Sequence, residues 1–324
     1  MIVYKLRFTS PLHLCAGHGG YEQTFHYLHS DTLFSAIISN WNHLYDDSID
    51  SLIQTLPFRI SSAFPFAAND YYFPKPLKPL SLGFDQNDYK TIKNLTKVKF
   101  VEKDLFEKIL NNEARDISFS ETRRFMGLKK DVSDCFMEQE ISRNAIDRVT
   151  GATDIFYFSE IVFREDSGLF FMASFKDNGI RKQFEAVLRF LGDQGIGGDR
   201  NVGKGFFEVD VVEDFNIQQP ENPDSILNLS LYHPLKEEID NHLLQNSSYD
   251  IIKRRGWVTM PGYQTLRKKS LNMFIEGSIF LNLNRADYGD IPVVGEKKEG
   301  LLDFNLYRYG KGFFVGCLDG GPCG

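Results

Sequence analysis

Apolar and polar positions alternate over the opening MIVYKLRFTSPLHL, residues 1–14. Period-two alternation predicts a half-buried strand, and Pro11, which cannot donate to a ladder, marks an edge or a strand end. A polar, glycine-bearing loop runs to about Tyr27, and then the period changes. In SDTLFSAIISNWNHLY, Leu33, Ile37, Trp41 and Leu44 fall on one helical stripe, and Ser30 or Asp31 offers the side-chain oxygen of an N-cap. A second stripe of Phe184, Val187, Leu188 and Leu191 runs through RKQFEAVLRFL (181–191), and KFVEKDLFEKILNN (99–112) also reads as helix. IFYFSEIVF (155–163) and GLFFMASF (168–175) read as strands joined by the turn REDSG, and FFEVDVV from Phe206 alternates as another. Residues 57–84, rich in proline and aromatics, predict an extended, irregular stretch. Residues 115–150, polar and charged, predict an inserted arm or hairpin.

Collapsed, the first half reads β, α, insertions, β, β, α, β, which is the ferredoxin-like or RRM-like order. The second half repeats it more faintly: SILNLSLYHPL (225–235) as strand, KEEIDNHLLQ (236–245) as helix, YDIIKRRGWV (249–258) and SLNMFIEGSIFLNL (270–283) as strands, and YRYGKGFFVG (307–316) last. GKGFF at 310–314 echoes GKGFF at 203–207, each just before a terminal strand. The polar, proline-bearing QQPENPD (218–224) reads as a linker. The expected class is therefore α+β, with domains at 1–217 and 225–324, in keeping with a chain of 324 residues.

The net charge of −7 argues against a free-standing nucleic-acid binder, which is usually basic. The distribution is uneven. Residues 253–269 carry six basic side chains and no acid, and RRFMGLKK (123–130) carries four, while acids gather in KEEID and YDDSID. Basic and acidic faces follow, although either basic run alone reads equally as ordinary solvated charge. The four cysteines form no C-x-x-C pair, so reduced thiols are expected, with no metal and no cofactor; Cys317 and Cys323 lack a second ligand pair. MIVYKLRF has no signal-peptide core, and no apolar run reaches membrane length. A cytoplasmic protein without membrane contact is expected.

Gly198–Gly205, GDRNVGKG, reads G-x-x-x-x-G-K-G. A nucleotide-binding P-loop needs Ser or Thr after the lysine to hold magnesium, and Gly205 stands there. A P-loop also leaves a strand and opens a helix, whereas this loop leaves a helix and opens a strand. Two readings remain. The loop is a tight helix–strand turn needing positive φ, or it is a place where Gly195, Gly197, Gly198, Gly203 and Gly205 let backbone amides approach a phosphate. In the second, Arg200 and Lys204 add cations and Asn201 reaches sugar or base. His13, His26 and His29 suggest general acid–base work or, for the i, i+3 pair, a metal, but no cysteine or carboxylate set completes a site. A loop or capping role explains them, as N-capping explains Asp31.

Several stretches act together: YKLRFTSPLHL (4–14), HSDTLFSAI (29–37), ISSAFPF (60–66), FPKPL (73–77), AIDRVTGATD (145–154), GIGGDRNVGKGFFE (195–208), RRGWV (254–258) and LYRYGKGF (306–313). With them the chain resembles the RAMP superfamily of CRISPR-associated proteins and, within it, the Csm4 family of type III-A effector-complex subunits. The resemblance implies two ferredoxin-like (RRM-like) domains with an inserted β-hairpin thumb, about 113–153, and a glycine-rich loop. It implies a non-catalytic subunit that holds the 5′ tag of the guide RNA (crRNA) and meets the large polymerase-like subunit and a neighbouring backbone RAMP subunit. On this reading the glycine loop lies under RNA. Arg143, Asn144 and Arg148 in the thumb suit phosphate contacts, and Ile146 suits a wedge between bases. Lys75, between prolines, presents an amine, and Arg254, Arg255 and Trp257 combine charge with an aromatic face. The alternative is a metal-independent guide-RNA-processing endoribonuclease using His13 or His29. A third reading is a purely protein-bridging subunit.

Overall fold

The run GLFFMASF is apolar at nearly every position because the strand it forms, Ser167–Phe175, is covered on both faces. Leu169, Phe171 and Ala173 enter one core, and Phe170 and Met172 enter another. In the computed structural model, which describes residues 1–15, 21–45, 47–79, 89–114, 117–128, 132–258, 266–298 and 304–318, this strand lies at the centre of the main sheet. On one side it pairs antiparallel with Ile2–Phe8, which pairs in turn with Phe207–Val212. On the other it pairs with Phe58–Ile60 and Phe64–Ala67. Fourth, first, third, second is the strand order of a ferredoxin-like sheet, reached here by residues 207–212, 2–8, 167–175 and 58–67. The sheet continues through Asp70–Pro74, Phe100–Glu102, Phe125–Gly127 and Ser118–Phe119.

The helices Ser30–Leu44 and Asn178–Gln194 cover one face of the sheet, and their predicted stripes supply that core. Leu33, Ile37 and Trp41, and Phe184, Val187, Leu188 and Leu191, are all fully buried against Tyr4, Leu6, Phe58 and Phe171. Leu44, at the end of the first stripe, is exposed. The second helix is capped by Asp177, whose carboxylate accepts from the Ile180 amide at 2.9 Å. The other face carries Val3, Phe64, Phe66, Phe170 and Met172. It is covered by the helix Lys103–Leu110 and by a small second sheet, Ile279–Leu281, Ser225–Asn228 and Phe314–Cys317 in that order. Among the described residues the second half contributes three strands to this small sheet and one short helix, Lys236–Asp240. A twisted ribbon, Ile251–Trp257 with Arg267–Phe274, projects from it. The tail beyond residue 318, with Cys323, lies outside the described residues.

Three expectations need correction. Thr153–Phe163, read as a sheet strand, pairs residue for residue with Phe136–Ile146. It is the return strand of the thumb, which therefore extends past 153, and the sheet's second strand comes from the stretch read as irregular, at 58–67. The first helix is not capped by Ser30 or Asp31; it begins at Ser30, and His29 is the N-cap residue. The orphan Ser30 amide donates instead to Ser62 Oγ at 2.8 Å. The predicted helix at 99–112 starts later, because Phe100–Glu102 joins the sheet first.

Gly168 sits where the central strand crosses its neighbours. A Cβ there would lie 2.1 Å from the Leu6 carbonyl oxygen and 2.9 Å from the Phe66 ring. Gly168→Ala is expected to cost about 3 kcal/mol by overpacking, read as a lowered midpoint in urea unfolding.

Candidate functional site

The glycine loop connects the helix Asn178–Gln194 to the strand Phe207–Val212, the reverse of a P-loop. Gly195, Gly197, Gly203 and Gly205 all have positive φ, which L-residues with a side chain rarely adopt. At Gly205 the backbones approach so closely that a Cβ would stand 1.9 Å from the Ile196 carbonyl oxygen. Most loop amides are already used. Gly205 donates to Pro11 O at 2.9 Å, Gly198 to His13 O at 3.0 Å, Ile196 to Gly205 O, Lys204 to Asp199 O, and Phe206 to Ser10 Oγ. The expectation that the whole loop offers its amides to a phosphate is therefore narrowed. Among the described residues, nothing accepts from the amides of Gly197, Asp199, Arg200 and Asn201, and Arg200 and Asn201 are exposed.

The thumb clamps this loop. Lys204 Nζ lies 2.6 Å from Glu160 of the return strand, a carboxylate that also accepts from Gln139 at 2.7 Å. The Arg143 guanidinium pairs with Asp199 and stacks 4.3 Å from the centre of the Phe158 ring. Two cations assigned to RNA from sequence, Lys204 and Arg143, are thus engaged within the chain. The thumb base is fixed in the same way. Glu138 accepts from Arg124 at 3.0 Å and from His26 Nε2 at 3.1 Å. Burial, and then the charges of Lys99 and Arg124, push the His26 ring down to about 4, so its Nδ1 is an acceptor for Lys99 at 3.3 Å.

Opposite residues of an antiparallel pair share a face. The thumb face holding Ile141, Arg143 and Phe158 turns to the body. The other face presents Ser142 with Tyr157, Asn144 with Ile155, and Ile146 with Thr153. Ile146 is 66% exposed, Ile155 67% and Tyr157 47%, and Asn144 and Arg148 are exposed as well. Tyr157 and Ile155 were missed in the sequence because their segment was read as a sheet strand. The signal was present: a register opposite Asn144 and Ser142.

Arg254 does not face solvent. Its Nε and a terminal nitrogen each donate to Asp31 at 2.9 Å, and Arg308 donates to the same carboxylate. Asp31 is 2% exposed. Burial works to raise its pKa, but Arg254 and Arg308 overcome that and hold the carboxyl well below the usual range. Asp31, N-cap by expectation, is instead the clasp between the two halves. Arg255 and Trp257 lie on the outer face of the ribbon, Trp257 50% exposed with the Arg267 guanidinium 4.3 Å over its ring. Lys75 is half-buried; its ammonium donates to Leu95 O at 2.9 Å, and burial lowers its pKa.

His13 and His29 are each 3% exposed. His13 Nδ1 lies 2.6 Å from Ser159 O, and His29 Nδ1 lies 2.9 Å from Glu276, which also accepts from Tyr27 and Ser62. Buried and bonded so, neither ring meets a strand lying on the surface. Among the described residues no cluster of His, Cys, Asp and Glu is placed to hold a metal, and no helix is long and apolar enough to cross a membrane.

A family model of the RAMP superfamily matches residues 5–208, and one described as the CRISPR Csm4 C-terminal domain matches residues 221–317. The chain is similar to the CRISPR system Cms protein Csm4 of Thermococcus onnurineus, 31% identical over 301 residues, covering 89% of this chain and 90% of that protein. It is similar to the Csm4 of Methanocaldococcus jannaschii, 26% identical over 337 residues, covering 90% and 88%. Among solved structures it resembles a chain of the Csm3–Csm4 subcomplex in the type III-A CRISPR-Cas interference complex, with TM-score 0.66, 20% identity and coverage of 98% and 99%. It also resembles a chain of the Csm1–Csm4 cassette in complex with pppApA, with TM-score 0.62, 25% identity and coverage of 99% and 99%.

Two outcomes test the geometry. Lys204→Met strands a buried Glu160 and is expected to cost on the order of 3 kcal/mol, with Glu160→Gln rescuing part of the loss in a double-mutant cycle on thermal melting. Because the folded pKa of Asp31 is depressed, its stabilisation is full above the unfolded value, near 3.8, and is lost as pH falls below that toward the folded pKa. Asp31→Asn is expected to be less stable at pH 7 and to lose that part of the acid slope in unfolding measured from pH 5 to pH 2.

Proposed function

The chain belongs to the Csm4 family of the RAMP superfamily, and from that premise we propose that it is a non-catalytic subunit of a type III-A interference complex that binds the 5′ tag of the guide RNA. Its action is positional. It holds the tag, and so fixes the register from which guide and target pair, while base pairing reads sequence. The observation that carries the reading is the tip of the glycine loop. There Arg200 and Asn201 are exposed, and the amides of Gly197, Asp199, Arg200 and Asn201 have no acceptor among the described residues. The loop is held still by Lys204–Glu160 and Arg143–Asp199, so its donors are pre-organised. Single-stranded RNA is held by phosphates and by stacking. Asn144, Ile146, Arg148, Ile155 and Tyr157 supply the second kind of contact and part of the first. Lys204 and Arg143 act by positioning the loop, Arg254 acts by joining the halves, and Arg255 and Trp257 form a separate outer face. The partners that fit are the large polymerase-like subunit and a neighbouring backbone RAMP subunit, because the similar chains come from a Csm1–Csm4 cassette and a Csm3–Csm4 subcomplex.

The test is binding of labelled 5′-tag RNA to the assembled complex across a salt series. Arg200→Ala with Asn201→Ala is expected to weaken binding about tenfold or more, as loss of a charge-assisted hydrogen bond does, and to lower the salt slope by about 0.7. Tyr157→Ala is expected to cost about 1–3 kcal/mol with the slope unchanged, the mark of lost stacking. Wild-type affinity and slope in both variants would remove the reading.

A further inference from the structure

The clasp holds more positive charge than it needs. Three cations converge on the Asp31 carboxylate: Arg254 and Arg308 by hydrogen bonds, and Lys268 through space. The next carboxylate, Glu276, is taken by His29, Tyr27 and Ser62. Even counting it, cations outnumber acids among the described residues. Arg308 Nε is buried with no acceptor among the described residues, a donor whose desolvation they leave uncompensated. Lys268 is half-buried, and its ammonium has no hydrogen-bond partner among the described residues. Burial and then the charge of Arg308 lower its pKa, with Asp31 offsetting part of the effect. Across the ribbon Lys268 pairs in register with Gly256, so the two positions share a face. A Cβ at Gly256 would meet nothing within 4 Å, so there is open space beside the lysine.

We propose that Lys268, Arg254 and Arg308, gathered around Asp31 beside the open space at Gly256, form a seat for one phosphate group of a bound RNA strand. Phosphate oxygens satisfy the idle Arg308 N–H and the Lys268 ammonium together, and their charge balances the excess. Arg254 keeps its bidentate bond to Asp31 and lends the seat its field, so the clasp that joins the halves also fixes the geometry of the seat. A phosphate there lies on the first helix's start and the second half's ribbon at once. Occupancy would therefore tie the halves more firmly. The class of ligand follows from the seat itself; that the phosphate belongs to RNA rests on the function proposed above.

The experiment has two arms. In the first, the full-length chain is melted in sodium phosphate and in sodium chloride of equal ionic strength. Phosphate is expected to raise the melting temperature of wild type and of the surface control Lys236→Ala, and to lose that effect in Lys268→Met. In chloride, Lys268→Met is expected to melt higher than wild type, because it removes a cation facing two guanidiniums. A lower melting temperature would make Lys268 a structural residue and overturn the seat, as would equal responses to phosphate in all three proteins. Gly256→Val, which fills the space and leaves every charge, is the second variant, and it too is expected to lose the phosphate response. In the second arm, the assembled complex binds guide RNA across a salt series, and Lys268→Met is expected to lower the slope by about 0.7, one phosphate contact. A phosphate response without a change in that slope would overturn the assignment to RNA. Wild-type complex that binds no guide RNA would overturn the proposed function instead, while the first arm would still decide the seat.

Discussion

One carboxylate, that of Asp31, decides how the two halves of this chain meet. Buried and alone it would carry a prohibitive desolvation cost. Two guanidiniums, Arg254 from the ribbon and Arg308 from the segment before the last strand, make it tolerable. A buried pair of this kind adds little net stability over an apolar contact, but it is directional, and breaking one side is costly. Around it the same kind of bond recurs. Leu231 donates to Ser30 Oγ, Ser62 Oγ accepts from the Ser30 amide, and Glu276 accepts from His29 and Tyr27. The apolar core between the sheets, with Phe170 and Leu229 in it, supplies the driving force, and these polar contacts supply the register.

The same economy governs the candidate RNA surface. A chain of net charge −7 that presents every lysine and arginine to solvent would still be a poor nucleic-acid binder. Here many are not presented. Lys204 is held by Glu160, Arg143 by Asp199, Arg254 by Asp31, and Lys311 by Asp287. The pairs of Lys204, Arg143 and Lys311 fix loops or a hairpin, and that of Arg254 joins the two halves. What remains at the glycine loop is a small set of oriented donors, Arg200, Asn201 and the amides beside them, on a frame that does not have to order on binding. Weak net attraction with strong pre-organisation suits the proposed role, in which RNA is shared with neighbours, better than it suits a solitary binder.

The sheet and its two covering helices were legible because their signals are local. The stripes through Leu33 and Phe184 and the apolar run at 168–175 each state their own burial. The thumb was misread for a physical reason. Its return strand carries an aromatic, apolar run, Ile155–Phe158, like that of a sheet strand, yet Phe158, Ser159, Glu160 and Ile161 are buried against the body while residues 153–157 stand mostly in solvent. Composition does not distinguish a strand buried at one end from a strand buried throughout. The cap of the first helix failed likewise. Asp31 has the residue type for a cap, but its partners are 223 and 277 positions away, and no local pattern announces them. Lys204 and Arg143 looked like free cations because Glu160 and Asp199 reach them only once the hairpin has folded back. Positive φ, one of the two readings open for the glycine loop, holds at Gly195, Gly197, Gly203 and Gly205 but not at Gly198. Its want of a side chain answers to the His13 ring, which a Cβ would meet at 2.9 Å.

The repeated GKGFF separates what the motif does for folding from what it offers to a ligand. In both copies the lysine pairs with a carboxylate, Lys204 with Glu160 and Lys311 with Asp287, and in both the next glycine amide is spent inside the chain, Gly205 on Pro11 and Gly312 on Tyr288. Common to both, these features are a way of entering a last strand. The difference lies in the residues just before. In the first copy the amides of Asp199, Arg200 and Asn201 have no acceptor among the described residues, and two side chains stand in solvent. In the second, Arg308 donates its amide to Pro292 and its guanidinium to Asp31. One copy points outward and the other points into the join. The two GKGFF segments thus differ in what precedes a common latch, and the outward one is placed against the thumb.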